Sequence, residues 1–335
     1  MPNFLSVGDL SQSFLMNRYN SSLKTKMNQL SLELTSGQVQ DVAGRLRGDF
    51  SPVASIDRSL TALNAYKTAN SEAALLATTM QNALETVQSY VSDAAPDLIM
   101  ASDSGHIHMI TPAAADAHQK FEAVLSALNT QVAGRSLFSG TATDRIAMAD
   151  PDIILDALNV AIAAETTAAG IQSVVDTWFA PGGGFDTVAY DGAVNDVAPL
   201  DIGPNETTDL AVRADHNAIR ESLKGLATAS LVHQGALSSN LTEQAALISY
   251  SGQTLLSAEN AVLNIRTGIG VSEAQIEQAS VRNNTETNVL EISRAGLLEV
   301  DPYSTATELQ AAQTQLETLY TLTSRLSRLS LADYI

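Results

Sequence analysis

Three histidines and an aspartate lie close together in the sequence and are the first candidates for a metal site. His106 and His108 form a His-x-His pair, and Asp116 and His118 follow within ten residues. A spacing of two places side chains about 200° apart on a helix but on one face of a strand. Because Asp103-Ser104-Gly105 just before them is typical of a loop and the spacing matches no common zinc motif, solvated surface residues are the simpler interpretation. A metal site is the alternative.

Other residue patterns that could support chemistry lack the elements that such chemistry needs. Aspartates recur between Asp186 and Asp209 without the Asp-x-Asp-x-Asp-Gly loop of calcium sites, so an acidic solvated surface is favoured over a cation site. Gly182–Gly184 is not followed by the Gly-Lys-Ser/Thr of a phosphate loop, and no Gly-x-Ser-x-Gly element occurs. No nucleophile paired with a base can be identified. We therefore predict no catalytic, cofactor or metal residues and no enzymatic activity.

Charge is distributed unevenly along the 335 residues, whose formal net charge is −19. Residues 1–35 carry a net charge of +1 and residues 301–335 a net charge of −2. Residues 141–216 contain thirteen acidic residues against two arginines, a net charge of −11. Nearly neutral ends can associate while an acidic middle stays in water. The acidic balance argues against nucleic-acid binding and against docking on an anionic membrane.

Two further classes of protein are disfavoured by composition. The sequence has no cysteine, so neither a disulfide framework nor a thiolate metal site can form. The sequence contains no run of about 18 apolar residues, so a membrane span is not predicted. The first basic residue is Arg18 and no apolar segment follows the start, so a cleavable secretion signal is not expected.

Apolar residues at heptad spacing predict amphipathic helices at both ends of the chain. The N-terminal seam consists of Met16, Leu23, Met27, Leu30 and Leu34, and the C-terminal seam of Leu309, Ala312, Leu316, Leu319 and Leu326. A terminal helix of this kind is marginal alone in water, so we predict that these residues form an assembly seam, within one copy and with other copies. The alternative is the closed core of a monomeric bundle, which uses the same spacing.

Helices are also predicted between the two ends. One begins near Pro52, with Pro96 ending or kinking it, and another begins at Pro112 with Thr111 as its N-cap. Short helices are predicted from Pro151 and over Ala168–Phe179. 

The second half of the chain continues this pattern after an irregular segment. Turns and a few short strands are predicted over Ala180–Asp209, with helix resuming near Ala214. Six apolar residues then recur every seven positions from Leu241 to Ile276, with Gly268 and Gly270 expected to interrupt the helix. Asp301-Pro302 predicts the start of the last helix.

The predicted fold is mainly α, with long antiparallel helices, terminal coiled-coil pairing and a small acidic α/β or β-containing insert in the middle. We expect residues 1–40 and 301–335 to form an inner coiled-coil domain. Residues 41–140 and 214–300 are expected to form a helical bundle, and residues 141–213 an outward-facing insert.

Three segments resemble a known family. They are Leu32–Leu63, with Leu-Thr-Ser-Gly and Asp-Phe-Ser-Pro-Val-Ala; Arg135–Thr141, with Leu-Phe-Ser-Gly-Thr; and Leu316–Ile335, which ends in Leu-Ser-Leu-Ala-Asp-Tyr-Ile. Their order and spacing resemble the flagellin superfamily. The second and third segments are similar to its hook-associated group, which joins hook to filament.

The resemblance implies a secreted structural subunit of the bacterial flagellum, exported through the flagellar type III channel and located outside the cell at the hook–filament junction. Its implied partners are copies of itself, the neighbouring hook-junction protein, flagellin, and a cytoplasmic export chaperone on the C-terminal helix. Neither nucleic acid nor membrane is an expected partner. The alternatives are a filament flagellin and, in another class, a monomeric helical binding module or adhesin.

Overall fold

The computed structural model of the chain describes residues 7–332 and the side chains of residues 11–325. Its longer helices are α1 (Val7–Ser36), α3 (Ser51–Ser104), α4 (Ile107–Leu128), α7 (Asn217–His233), α8 (Leu241–Leu298) and α9 (Pro302–Ala332). The shorter helices are α2 (Val42–Arg45), α5 (Pro151–Ile162) and α6 (Ala168–Phe179). Two antiparallel hairpins also occur in this part of the chain: β1 (Gln131–Val132) with β2 (Arg135–Ser136), and β3 (Leu200–Gly203) with β4 (Glu206–Thr208). The predicted mainly α fold with a small β-containing insert is confirmed.

The chain divides into two compact units. The terminal unit combines the segment up to Leu63 with the segment from Thr285, and the central unit is Asn64–Asn284. The division into three domains at the boundaries predicted from the sequence stays a prediction.

The terminal unit is closed by a turn after α1 and a cap before α9. Gly37, at a φ of +70°, ends α1 and accepts a hydrogen bond from the backbone nitrogen of Val300 at 3.1 Å. Val39 donates to the Leu298 carbonyl at 2.9 Å, so the two connections run side by side. The Asp301 carboxylate accepts from the backbone nitrogen of Tyr303 at 3.0 Å, which confirms the predicted cap.

The central unit buries heptad rows of α3 and α8 together with α4 and α7. Five of the six predicted α8 residues are buried: Ile248, Leu255, Val262, Ile269 and Ile276. On α3 a continuous buried row consists of Ala77, Leu84, Val91 and Leu98. Heptad spacing on both helices therefore produces one shared core, as it does in helical bundles.

Three helix boundaries differ from the prediction. α3 does not end at Pro96 but continues through it, because Ala95 and Leu98 on either side are buried and hold the helix in place; the alternative of a kink at Pro96 stays a prediction. α8 likewise continues through Gly268 and Gly270, around the buried Ile269. In both cases tertiary packing outweighs weak local propensity.

The start of α4 was also predicted wrongly. The helix begins at Ile107, five residues before Pro112, and Thr111 lies inside it. Ile110 is fully buried, so the first turn packs on the core even though His106 makes no side-chain cap hydrogen bond.

The segment between α4 and α7 combines the predicted short elements with one that was not predicted. α6 has the predicted bounds, and α5 begins at Pro151 with the Asp150 carboxylate accepting from the backbone of Asp152 at 3.0 Å. The β3–β4 hairpin lies within the segment predicted to contain turns and strands. A π-helix at Phe185–Ala189 places Phe185 against Trp178, with ring centroids 6.4 Å apart.

Candidate assembly surface

α1 and α9 pack against each other in antiparallel orientation within the terminal unit. The hydroxyl of Thr323 donates to the sulfur of Met16 at 3.6 Å, near the start of α1. Towards the other end of α1, Lys26 forms an ion pair with Glu308 at 3.5 Å. These two contacts show that α1 and α9 run in opposite directions. The exposed ion pair contributes little to stability, so apolar contact must hold the pair.

The predicted seam faces the inside of this pair. Leu30 and Ala312 are buried, while Met16, Leu23, Met27, Leu309, Leu316 and Leu319 are half-buried. Leu34 is exposed, and the side chain of Leu326 lies outside the described residues. The heptad positions are therefore used mainly to pair two helices of one copy. A contact between these residues and other copies stays a prediction.

Other large apolar side chains of the pair point into solvent, and they lie outside the predicted heptad seam. Phe14 is 69% exposed, Tyr19 64% and Leu32 58%, and Tyr320 and Leu322 are close to half exposed. Apolar residues that stay exposed near one another mark interaction surfaces. The sequence did carry a signal for this exposed surface. Aromatic residues make up only 5% of this chain, so their occurrence on α1 and α9 outside the seam could have marked it.

Two of these side chains border a groove between the helices, which we call the terminal groove. It has a volume of about 520 Å³ and is open to solvent. Its lining consists of Tyr19 and Leu23 from α1 and Ala311, Thr314, Gln315, Thr318, Leu319 and Leu322 from α9. No lining residue carries a charge. An uncharged groove with an apolar floor suits an amphipathic helix whose apolar face lies in it.

The residues first considered for metal binding do not converge. His106 and His108 are exposed at the start of α4, and Asp116 forms an ion pair at 2.7 Å with the lysine one turn later. His118 stacks on His233, with ring centroids 5.0 Å apart. Among the side chains of residues 11–325, no three His, Cys, Asp or Glu residues are arranged to hold a metal ion.

Acidic residues in the insert and just after it form ion pairs with arginines. Arg220 is buried and donates to the Asp186 carboxylate at 2.7 Å. Arg213 donates to Asp196 at 2.6 Å and through two nitrogens to Asp215, at 2.7 and 3.1 Å. The hydrogen bonds to Asp215 raise the pKa of Arg213 above its ordinary value. These paired carboxylates stabilise the insert, a role that sequence spacing did not suggest.

A second polar cluster joins three elements of the central unit. The Tyr250 hydroxyl donates to the Asp176 carboxylate at 2.5 Å, and Lys224 donates to the same oxygen at 2.9 Å. Burial, together with this hydrogen bond, raises the pKa of Tyr250 to about 12. Burial lowers the pKa of Lys224, but its hydrogen bonds to Glu221 and Asp176 outweigh that effect and raise it. Tyr250 and Lys224 therefore keep the protons that they donate at neutral pH, and the cluster acts as a structural link.

Leu-Phe-Ser-Gly-Thr has a structural role where the insert begins. Phe138 is fully buried and its carbonyl accepts from the backbone of Ala214 at 2.9 Å. Gly140 adopts a φ of +61°, and a Cβ there would lie 2.5 Å from the Asn195 carbonyl oxygen. Only glycine fits this close approach. The motif thus fastens the two ends of the insert to each other.

Matches to known protein families cover both ends of the chain. The bacterial flagellin N-terminal helical region matches residues 9–143, and the bacterial flagellin C-terminal helical region matches residues 253–335. The two matches include almost all of α1 and α9. The chain belongs to the flagellin family. This flagellin-family protein is accordingly a structural subunit of the bacterial flagellum, as the sequence resemblance implied.

A solved structure resembles this flagellin-family chain in fold. The crystal structure of Bacillus cereus FlgL aligns with a TM-score of 0.50 at 16% identity, covering 72% of this chain and 98% of that chain. A putative flagellar hook-associated protein from Vibrio parahaemolyticus aligns with a TM-score of 0.38 at 14% identity, covering 70% and 94%. No curated protein matches the chain. None of the helices in the described part of the chain is long and apolar enough to span a bilayer.

Proposed function

We propose that this flagellin-family subunit is placed at the hook–filament junction and assembles through the terminal groove between α1 and α9. The observation that carries the proposal is the groove itself, which stays open and uncharged after the heptad seam has paired the two helices. The occupant is a terminal helix of a neighbouring subunit. Contact between this groove and a different surface of the next copy is heterologous, and such contacts build helical assemblies when the rotation does not close.

The charge distribution supports this arrangement. The two ends of the sequence carry small net charges while residues 141–216 carry −11, so close approach of many copies costs least electrostatically at the ends. Residues 141–213 form the outward-facing insert, and the role of the protein is structural and not catalytic. Its partners are copies of itself, the adjacent hook-junction protein and flagellin, and a cytoplasmic export chaperone binds the C-terminal helix before secretion.

Placement at the junction, and not along the filament, is supported by the Leu-Phe-Ser-Gly-Thr segment at residues 137–141. This segment is similar to the corresponding motif of the hook-associated group. The likeness in fold to Bacillus cereus FlgL, which is covered over 98% of its length, is consistent with that placement.

Direct localisation tests the proposal. The chain has no cysteine, so a single Val160→Cys substitution on α5, where the side chain is 79% exposed, allows one gold label per subunit. Cells whose native copy is replaced by this variant are labelled and viewed by electron microscopy, with the cysteine-free protein as the control for background. We expect gold only at the boundary between hook and filament.

Two other distributions would contradict the proposed placement. Gold along the whole filament would identify a filament flagellin. Gold absent from flagella, with the protein recovered as a monomer, would favour a binding module or adhesin.

A further inference from the structure

The β3–β4 hairpin lies along one face of α8 in the central unit and is fastened to that helix by side chains. The outermost contacts are hydrogen bonds from α8 to backbone carbonyl oxygens. The hydroxyl of Ser272 donates to Asp209 at 2.7 Å, and the side-chain amide of Asn283 donates to Ile202 at 2.9 Å. Between them lie a hydrogen bond and an ion pair, Thr208 with Gln275 and Glu206 with Arg282.

Within the central unit, the buried heptad rows of α3 and α8 each end in an asparagine. On α8 the residue seven positions after Ile276 is Asn283, and on α3 the residue seven positions before Ala77 is Asn70. Both asparagines are buried, at 5% and 2% exposure. A polar residue in an otherwise apolar seam costs stability, so this part of the pair is held together less strongly than the rest.

The two asparagines lie at the same level of the antiparallel helix pair. Arg266 of α8 donates to the side-chain oxygen of Gln88 of α3 at 2.6 Å, which fixes one level of the pair. Asn70 is eighteen residues before Gln88, and Asn283 is seventeen residues after Arg266. Because both helices rise by the same distance per residue, the two polar positions coincide. We call residues 64–77 of α3 and 276–284 of α8 the polar end.

Only one of these asparagines is tied to the hairpin. Asn283 donates to Ile202, whereas neither atom of the Asn70 amide has a hydrogen-bond partner in the described chain. Both atoms of that amide are shielded from solvent. Leaving a buried amide unpaired costs free energy, and this free energy is recovered when water reaches the amide.

The hairpin shields the polar end from water. Ala279 and Asn283, beside the hairpin, are buried, whereas every α8 side chain over residues 284–297 is exposed or half-buried. Burial of α8 thus ends where the hairpin ends. On the other side, Leu200 of β3 and Ala73 of α3 line the same cavity of about 220 Å³, so the hairpin faces α3 across a gap while its hydrogen bonds hold α8.

We propose that the β3–β4 hairpin is a strap that keeps the polar end closed, and that strap and polar end open together while the rest of the central unit stays folded. Lifting the strap admits water to the Asn70 amide, which offsets part of the cost of opening. The apolar rows beyond the polar end gain nothing from water and stay paired. This inference concerns the central unit alone and does not rest on the proposed function.

Hydrogen exchange of the purified full chain, read by mass spectrometry, measures this opening. Residues 200–208 report on the strap, residues 64–77 on the polar end, and residues 84–98 of α3 are the internal reference. Asn283→Ala removes the hydrogen bond to Ile202, and Asn284→Ala removes the same side chain at the neighbouring exposed position. Both variants gain the same helix propensity, so the difference between them reports the lost hydrogen bond.

We expect Asn283→Ala to accelerate exchange of the strap and of the polar end together, by about tenfold relative to Asn284→Ala. The reference segment should exchange equally in both variants. Acceleration confined to the strap, or equal exchange of the polar end in the two variants, would overturn the proposal, because the strap would then not hold the helices.

A second pair of variants should act in the opposite direction. Asn70→Leu replaces the unpaired amide by an apolar side chain that is also branched at Cγ, so exchange of the polar end and the strap should slow by about tenfold. Asn64→Leu, at an exposed position of α3, is the control and should change exchange by at most about twofold. Unchanged or faster exchange in Asn70→Leu would contradict the assignment of Asn70 as the weak point that the strap covers.

Discussion

Two leucines of α1, two residues apart, differ in what they contact and provide a matched test of the helix pair. Leu30 is 6% exposed and Leu32 is 58% exposed. Leu→Ala removes three carbon groups, each worth about 0.8 kcal/mol when fully buried. Leu30→Ala should therefore weaken the α1–α9 pairing by about 2.4 kcal/mol, and Leu32→Ala by about 1 kcal/mol at most. Converted at about 1.4 kcal/mol per factor of ten, these energies correspond to about 50-fold and about fivefold changes in pairing.

Hydrogen exchange of the dilute monomer, read by mass spectrometry, measures the opening of the pair directly. For Leu30→Ala we expect exchange in α1 and in α9 to accelerate together by about 50-fold, because neither helix is stable in water without the other. For Leu32→Ala we expect at most about a fivefold change. Equal acceleration by the two substitutions, or acceleration confined to α1, would refute the assignment of Leu30 to the inside of the pair.

Three further predictions concern the central unit. Because the folded state raises the pKa of Tyr250 to about 12 from an ordinary value of 10, this stabilisation is complete below pH 10 and lost as pH rises through 12. Urea unfolding should show that loss in wild type and less of it in Tyr250→Phe. Arg220→Met leaves Asp186 without its buried partner and should cost about 3 kcal/mol, measured by urea unfolding with fluorescence of Trp178, the one tryptophan in the sequence. Gly268→Ala should stabilise α8 by about 1 kcal/mol in thermal unfolding, since nothing lies within 4 Å of the added Cβ.

The features that could be predicted from the sequence are those determined by local spacing. α5 begins at Pro151 and α9 at Pro302 as predicted, because the caps that start them, Asp150 and Asp301, involve only neighbours in the chain. The row from Ile248 to Ile276 is buried as its spacing indicated, because a period of seven places all its members on one helix face.

The features that could not be predicted depend on contacts between distant segments. Pro96 lies inside a continuous helix because buried neighbours hold it there, and the π-helix at Phe185–Ala189 forms around an aromatic cluster. The seam residues could be identified from their spacing. Their spacing could not show that they pair α1 with α9 inside one copy of the chain. The exposed Tyr19 and the unpaired amide of Asn70 became evident only once the packing was known.

The central claim is that subunits assemble through the terminal groove. A double substitution in the groove that leaves the helix pair intact tests this claim most directly. Tyr19 and Leu322 are 64% and 48% exposed, so Tyr19→Ser with Leu322→Ser changes the groove and little of the seam. Val160→Ser, at a 79% exposed position of the insert, is the matched control. Completed flagella are counted by electron microscopy on cells that make only the variant, with circular dichroism of the purified monomer to verify its helices. We predict that the groove variant is secreted with wild-type helical content but completes no filaments, while the control completes them. Completed filaments in normal numbers from the groove variant would contradict assembly through this groove.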